Sequence, residues 1–594
     1  MLNSFSILWP YLTKNKRSLI AGIICLVGVD ILQLIVPIYV AQGIDLIQKN
    51  TIGQRFVLCL SLILLFSIII AVLRYYWRTW IIGTSRIIEN DMRNDFFNHL
   101  LQLPTNIFNQ YRTGDIVSLS TNDISAIRRM LGSGILAGCD AVVIILSAFA
   151  LMLYLAPQLS WKVLLPLPFI SIYMIIIGPL LNKKHLDVQN EFSHLTSIAQ
   201  EDVSGIRIIK AFHREASCLE KFTKICQNYF DKNISLAIFE GSFYPIIRLL
   251  SKFSLAILIW VGSRMVIRNQ LTLGTFIAFT EYIALLTWPL LAIGFIVDLY
   301  QKGKASCIRI NEILQVHTEQ NKIFYCNQEF DTHDDKRPIS PSLLEIRQLT
   351  YQYPGNEFQV LKNINLLIQP GEKIALIGPV GSGKSTLFKL LLRLYKFPEN
   401  CIFYNQKDIL SIPLYDWRDQ IGYVSQDPYI FSDSIVNNIA LGRELEQNFS
   451  SMTESLNLSS LKEEIENFSH KEQTIVGEWG ITLSGGQRQR LSLARILYQK
   501  YPMYVFDDIF SSVDLKTEQK IIYSLKNNTQ HSTILFATHR LSSLVFFDRV
   551  ILLKNGEVVA DGKHNDLISS SKVYLEFIQE QQREDRLLKN SLSL

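Results

Sequence analysis

Charge is scarce in this sequence. Asp, Glu, Lys and Arg make up 19% of the 594 residues, against 48% hydrophobic residues, and the apolar excess is concentrated in the first half. Metal-binding cysteine patterns are absent as well. The eight cysteines are scattered with no CxxC and no His/Cys cluster, which argues against a metal site and fits a reduced cytoplasmic face. No secretory signal is indicated, because the first apolar run is long, lacks a small-residue cleavage pattern and is followed by others. A strongly basic balance is missing too: the net charge of +5 is modest and is accounted for by anchoring beside a membrane, so no nucleic-acid partner is expected.

What is present, first, is membrane. Six runs are long enough to cross ~30 Å of hydrocarbon as helices: Leu19 to Ala41, Phe56 to Tyr76, Gly134 to Ala156, Val163 to Leu181, Pro245 to Ile267 and Phe276 to Val297. Lys and Arg are retained on the cytoplasmic side. Lys14, Lys16 and Arg17 precede the first run; Arg86, Arg93, Arg112, Arg128 and Arg129 fill the second connection; Lys183, Lys184, Arg207, Lys210 and Arg214 fill the fourth. The expectation is a multi-pass protein of the inner, cytoplasmic membrane with both termini in the cytoplasm.

Connections two and four each exceed forty residues, contain little Pro or Gly and keep helical periodicity. They predict membrane helices that run on into the cytoplasm and end in short transverse turns. "YRTGDIVSLSTND", with Gly114 at a break, is one candidate turn, and "SGIRIIKAFHRE" is another. From Gln315 to about Leu343 the chain turns polar, with a charge run and two prolines in "DTHDDKRPISPS". Beyond it, strand-like and helix-like segments alternate, the pattern of an α/β domain with a largely parallel sheet. The expected fold class is a membrane all-α domain of six transmembrane helices followed by an α/β domain, which the motif G-x-x-x-x-G-K-[ST] at Gly378 to Thr386, between a strand and a helix, makes an α/β P-loop nucleotide-binding domain. Its boundaries are 1–314 for the membrane domain, 315–343 for a linker, 344–580 for the nucleotide-binding domain and 581–594 for a tail.

The phosphate site is "GPVGSGKST", comprising Gly378, Pro379, Val380, Gly381, Ser382, Gly383, Lys384, Ser385 and Thr386. It satisfies G-x-x-x-x-G-K-[ST] between an apolar strand and a helix, the context in which that spacing cradles phosphate. The glycines let backbone N–H groups converge on phosphate oxygens, and the helix N-terminus adds its dipole. Lys384 is expected to reach the β- and γ-phosphates of ATP, and Ser385 to offer its hydroxyl to Mg²⁺. Asp507, ending the apolar strand of "VFDDIFSSVD", is the expected Mg²⁺-holding carboxylate.

Between these elements lies "LSGGQRQR", Leu483 to Arg490, and here the second half resembles the nucleotide-binding domain of ATP-binding cassette (ABC) proteins. The first half, with six spans and two long connections, resembles the membrane domain of exporters in that family. By this resemblance Tyr353 stacks on adenine, and Gln426 contacts Mg²⁺ and the attacking water. Ser484, Gly485, Gly486 and Gln487 bind the γ-phosphate of a nucleotide held by the other half of a dimer. His539 orients that phosphate and water in its own site, Asp514 belongs to a loop crossing to the partner site, and "TIVGEWG", Thr474 to Gly480, senses the membrane helices.

One departure stands out. Where the family usually places glutamate after the Mg²⁺ aspartate, this chain has Asp508. Asp508 keeps the charge but loses roughly 1.5 Å of reach, and a misplacement of about 1 Å can cost ~10²-fold in rate. The combination of a complete "SGGQ" with Asp508 resembles the degenerate-site subunit of a heterodimeric multidrug-like exporter. The expected activity is ATP-driven export of a hydrophobic or amphipathic small molecule, drug or lipid, with a second half-transporter as partner. A homodimeric exporter or flippase and an ATP-gated channel are the alternatives. The intramembrane charges Asp30, Asp140, Arg248, Lys252 and Glu281 either serve a polar cavity or pair and snorkel.

Overall fold

The structure, a computed structural model, describes residues 2–51, 53–316, 318, 342–441, 449–477 and 483–591. Most of the predicted linker, the end of the Thr474–Gly480 segment and the last three residues lie outside that set. By packing, the chain forms two units. Met1–Leu101 with Tyr111–His317 make the first, and Gln102–Gln110 with Thr318–Leu594 make the second.

Among the described residues, six helices are long and apolar enough to cross a membrane: α1 (Lys16–Gln48), α2 (Gln54–Leu101), α4 (Thr113–Leu155), α5 (Pro157–Ser204), α7 (Glu215–Ile267) and α8 (Leu273–Leu314). Two short helices, α3 (Thr105–Gln110) and α6 (Ile206–Ala211), join them. The 48 residues of α2 span roughly 72 Å at ~1.5 Å per residue, more than twice the thickness of hydrocarbon. Long extensions beyond the spans are therefore part of the fold, as the connections' periodicity implies. Pro37, Pro179, Pro245 and Pro289 lie inside α1, α5, α7 and α8, positions that neighbouring helices make tolerable in a membrane bundle.

Close approach and buried polar pairs hold the first unit. Asp45 of α1 accepts the Gly274 N–H at 2.7 Å, and a Cβ on Gly274 would sit 2.0 Å from the Ala41 carbonyl oxygen, so the start of α8 is seated on the end of α1. Deeper in, Ala148, Met152, Leu159, Val163, Phe279 and Tyr282 form a buried apolar core, and the Tyr282 hydroxyl donates to the Leu34 carbonyl at 3.0 Å. Toward the far end, Asp123 of α4 accepts from Ser306 at 2.6 Å and from Arg309 Nε at 3.2 Å on α8. Glu89 of α2, also buried, accepts from Arg93 at 3.0 Å and faces Arg128 of α4 at 3.1 Å.

One expectation is corrected here. "YRTGDIVSLSTND" is no transverse turn: Thr113 onward is already the long helix α4, and Gly114 lies inside it. The break falls just before, and the short helix it frees is α3. The segment Gln102–Gln110 belongs to the second unit, where Asn109 Nδ2 donates to the Tyr395 hydroxyl at 3.1 Å. Gly114 is the second residue of α4, in the first turn, where its N–H needs no partner within the helix.

The second unit carries two sheets. β1 (Leu344–Gln352), β2 (Gln359–Ile368), β4 (Ile402–Tyr404) and β5 (Lys407–Asp408) form an antiparallel sheet in the order β2-β1-β4-β5. β3 (Lys373–Ile377), β6 (Ile421–Val424), β7 (Met503–Asp507), β8 (Thr533–Ala537), β9 (Arg549–Lys554) and β10 (Glu557–Gly562) form the other, in the order β10-β9-β3-β8-β7-β6. All of its neighbours are parallel except β9 and β10. β3, β7 and β8 are buried at every position, which is why they read as unbroken apolar runs. Helix α9 (Lys384–Leu391) packs Leu387, Phe388 and Leu391 into the core between the two sheets, and the short helix α10 (Ile435–Ala440) follows β6. On the opposite face, α11 (Gly485–Gln499) and α12 (Leu515–Asn528) bury Leu493, Leu497, Ile521 and Leu525 against Phe506 and Phe536.

Candidate nucleotide site

The site forms where a parallel sheet places ligands, outside the carboxyl ends of its strands. Leu376 of β3 pairs with Ala537 of β8, and Ala537 pairs with Asp507 of β7, so three strand ends are level. The turn after β3 carries Gly378 to Lys384, the residues after β8 are Thr538 and His539, and the loop after β6 carries Gln426. Topology thus brings together four segments far apart in sequence.

The loop after β3 needs its glycines. Gly378, Gly381 and Gly383 have φ of 150°, 80° and 106°, values that other residues rarely adopt. A Cβ at Gly378 would lie 2.0 Å from the Leu553 carbonyl oxygen, and one at Gly383 would lie 2.6 Å from Leu361 Cδ2. Lys384 is buried, and its ammonium donates to the carbonyls of Gly378 at 2.8 Å and Pro379 at 3.0 Å, folding back over the loop. Burial pushes the Lys384 ammonium below its ordinary range, and the charges of Asp508 and Asp507 oppose that shift. Val380 stands exposed at the loop tip.

Ser385 Oγ donates to Asp507 Oδ1 at 2.9 Å. A hydroxyl and a carboxylate at that separation are an oxygen pair of the kind a small hard cation takes, so the donor set fits Mg²⁺. Burial raises the Asp507 carboxyl above the usual carboxylate range, while the Ser385 bond and the nearby lysines pull it down. Asp508 follows with φ 50° and donates its N–H to the Ala537 carbonyl at 3.1 Å. Asp tolerates this left-handed conformation better than most non-glycine residues do. His539, half-buried, is held toward its neutral form first by burial and then by the positive charge of Lys384, with Asp508 and Asp507 opposing. Gln426 is exposed on its loop.

Tyr353 lies against α9: its hydroxyl shares a hydrogen bond with Thr386 Oγ1 at 3.1 Å, and its ring meets Tyr351 and Tyr395 edge-on, both at 5.2 Å between centroids. The residues Ser484 to Gln487 begin α11 rather than a loop. Ser484 Oγ accepts the Gln487 N–H at 3.2 Å and Gln487 Oε1 accepts the Ser484 N–H at 2.8 Å, a reciprocal capping box. Gly485 and Gly486 let this helix lean on the segment after Asp508: a Cβ on Gly486 would be 2.9 Å from the Ser512 carbonyl oxygen. Asp514 caps α12 by accepting the Thr517 N–H at 3.0 Å, which holds its carboxyl below the usual range.

Several contributors escape sequence reasoning. Gln489 donates to Ser511 at 2.7 Å and accepts from the Ser512 N–H at 3.1 Å, tying α11 to the turn that follows β7. Tyr423 of β6 faces Asp507, and burial pushes its hydroxyl up. Glu518, fully buried in α12, takes Arg540 at 2.5 Å and Ser543, fixing the turn that carries His539. The only available signal was Arg540 directly after His539; its partner lies 22 residues away in sequence.

Comparison with known proteins bears on the family and the fold. The family model described as the ABC transporter transmembrane region matches residues 19–290, and the one described as ABC transporter matches residues 361–511. A relative in Buchnera aphidicola subsp. Baizongia pistaciae, "Multidrug resistance-like ATP-binding protein MdlA", is 35% identical over 95% of this chain and 96% of its own. The chain belongs to the ABC transporter family. This ABC transporter is also 27% identical to the "ATP-dependent lipid A-core flippase" of Escherichia coli O6:K15:H31, over 96% of each chain. Its fold is shared with a bacterial Atm1-family ABC exporter solved with ATP bound, at a TM-score of 0.75 and 20% identity, covering 95% of this chain and 98% of that one. Membership assigns it a membrane region and an ATP-binding domain, and with them ATP hydrolysis coupled to transport.

Proposed function

We propose that this chain is one half of a dimeric exporter that drives a hydrophobic or amphipathic small molecule, drug or lipid, out across the cytoplasmic membrane, with both termini in the cytoplasm. The names of relatives, multidrug resistance-like proteins and a lipid A-core flippase, support that substrate class. ATP binding closes two such chains on each other, the membrane helices respond by opening the cavity outward, and hydrolysis resets them; the requirement is that ATP binds the closed state more tightly.

Within one chain, Gly378 to Thr386 hold the phosphates, Lys384 their charge, and Tyr353 the base. Ser385, Asp507 and Gln426 hold Mg²⁺, which supplies charge neutralisation at the transferring phosphate. His539, kept neutral, orients the γ-phosphate and water. Ser484 to Gln487 and Asp514 act on the nucleotide of the other half, so one chain completes no site by itself.

The observation that carries the finer reading is Asp508, an aspartate in left-handed backbone whose N–H is committed to Ala537. It is tethered and short, so the site binds ATP and hydrolyses it slowly, and the fast site takes its glutamate from a different partner chain. The test is ATP turnover of the purified chain in lipid, beside Asp508→Glu and beside the chain co-expressed with a candidate partner. A nearly silent lone chain that glutamate or the partner revives by up to ~10²-fold supports a heterodimer. Turnover of about 1 per second or faster by the lone chain makes Asp508 a working base and the protein a homodimer. A substrate flux that continues without hydrolysis makes it a channel.

A further inference from the structure

The membrane unit buries a carboxylate without a donor. Asp30 lies midway along the apolar run Leu19 to Ala41, is 1% exposed, and neither of its carboxylate oxygens has a hydrogen-bond partner among the described residues. The groups facing it come from two other helices: Asp140 and Cys139 of α4, and Arg74 of α2. The Arg74 guanidinium also reaches Gln33 Oε1 at 3.5 Å. Trp77 of α2 packs with Leu26 and Val29 beside Asp30, and its indole N–H is buried and unpartnered too. From α8, Tyr282 commits its hydroxyl to the Leu34 carbonyl, one turn along α1 from Asp30.

Charge balance then decides what the cluster holds. Two carboxylates and one guanidinium leave a net negative charge in a medium where an uncompensated charge is costly. Adjacent carboxyls relieve this by sharing a proton, and a single proton brings the three groups to neutrality. A proton also adds no volume, so the packing of Leu26, Val29 and Trp77 need not open to admit it, as it would for a larger cation.

We propose that Asp30 and Asp140 form a proton-binding site inside the membrane unit, holding one proton between the two carboxyls at neutral pH, with Arg74 setting how many protons are held. The site exchanges that proton with water; no bond other than O–H is made or broken. It stands on the packing of α1, α2 and α4 and is independent of the substrate and partner proposed above.

Infrared spectroscopy of the full-length transporter in lipid at neutral pH tests it through the C=O stretching band of protonated carboxyls. Each variant is read as a difference from wild type, so that other buried carboxyls, Asp507 among them, cancel. Asp30→Asn and Asp140→Asn should each remove one carboxyl's worth of band, because the remaining carboxylate then balances Arg74. Should one of them fail to accumulate, the other carries the same expectation. Arg74→Gln should add about one carboxyl's worth, and Asp30→Asn combined with Arg74→Gln should restore the band lost in Asp30→Asn alone. A band unchanged in both asparagine variants overturns the site, and an Arg74→Gln spectrum equal to wild type overturns the charge rule.

Discussion

The phosphate loop and the start of α11 are both glycine-rich segments leading into a helix, yet they are built differently. Gly378, Gly381 and Gly383 sit at positive φ, with strand backbone pressed against two of them. Gly485 and Gly486 lie inside a regular helix whose first turn is closed by its own capping box. The first segment is a cradle whose backbone conformation only glycine adopts without strain. The second is a regular helix N-terminus, closed by its own capping box, whose glycines also admit Ser512. The same residue type shapes a left-handed loop in one place and lets a regular helix start pack closely in the other, and backbone conformation tells the two uses apart.

Substitutions should widen that contrast. Lys384→Ala removes the cation at the centre of the cradle and should cut ATP turnover, assayed in the most active assembly, by about 10²-fold or more. If turnover survives, the loop is not the phosphate site. Gly383→Ala forces a side chain into φ 106° and against Leu361, and should cost about 1–3 kcal/mol in thermal unfolding of the nucleotide-binding unit. Gly485→Ala, where the nearest atom is 3.2 Å from the added Cβ and the helix favours alanine, should change the same measurement by no more than about 1 kcal/mol. Equal losses at both positions would erase the distinction.

The smallest expected effect is on pH. Because burial raises the Asp507 carboxyl, a proton competes with Mg²⁺ there at a higher pH than at an ordinary aspartate. The gain in ATP affinity that Mg²⁺ confers should therefore shrink as pH falls, beginning above the usual carboxylate range. Nucleotide titration with and without Mg²⁺ across pH reads this directly, and a gain that stays constant into that range counts against Asp507 as the ligand.

Much of this molecule is legible in its sequence because its governing patterns are local. Six apolar runs of spanning length need no partner to be recognised, since hydrocarbon imposes the helix on each separately. The loop Gly378 to Thr386 is equally plain, as is the identity of Asp507 and Asp508 at the end of an apolar strand. Tertiary structure alone decided the rest. It set the left-handed backbone of Asp508 through its bond to Ala537, anchored the His539 turn on Glu518, and assigned Gln102–Gln110 to the second unit. It also brought Asp30, Asp140 and Arg74 from three helices to one place. Each of these depends on which distant segment lies alongside, and a helix or strand pattern records which face is apolar without recording what that face will meet.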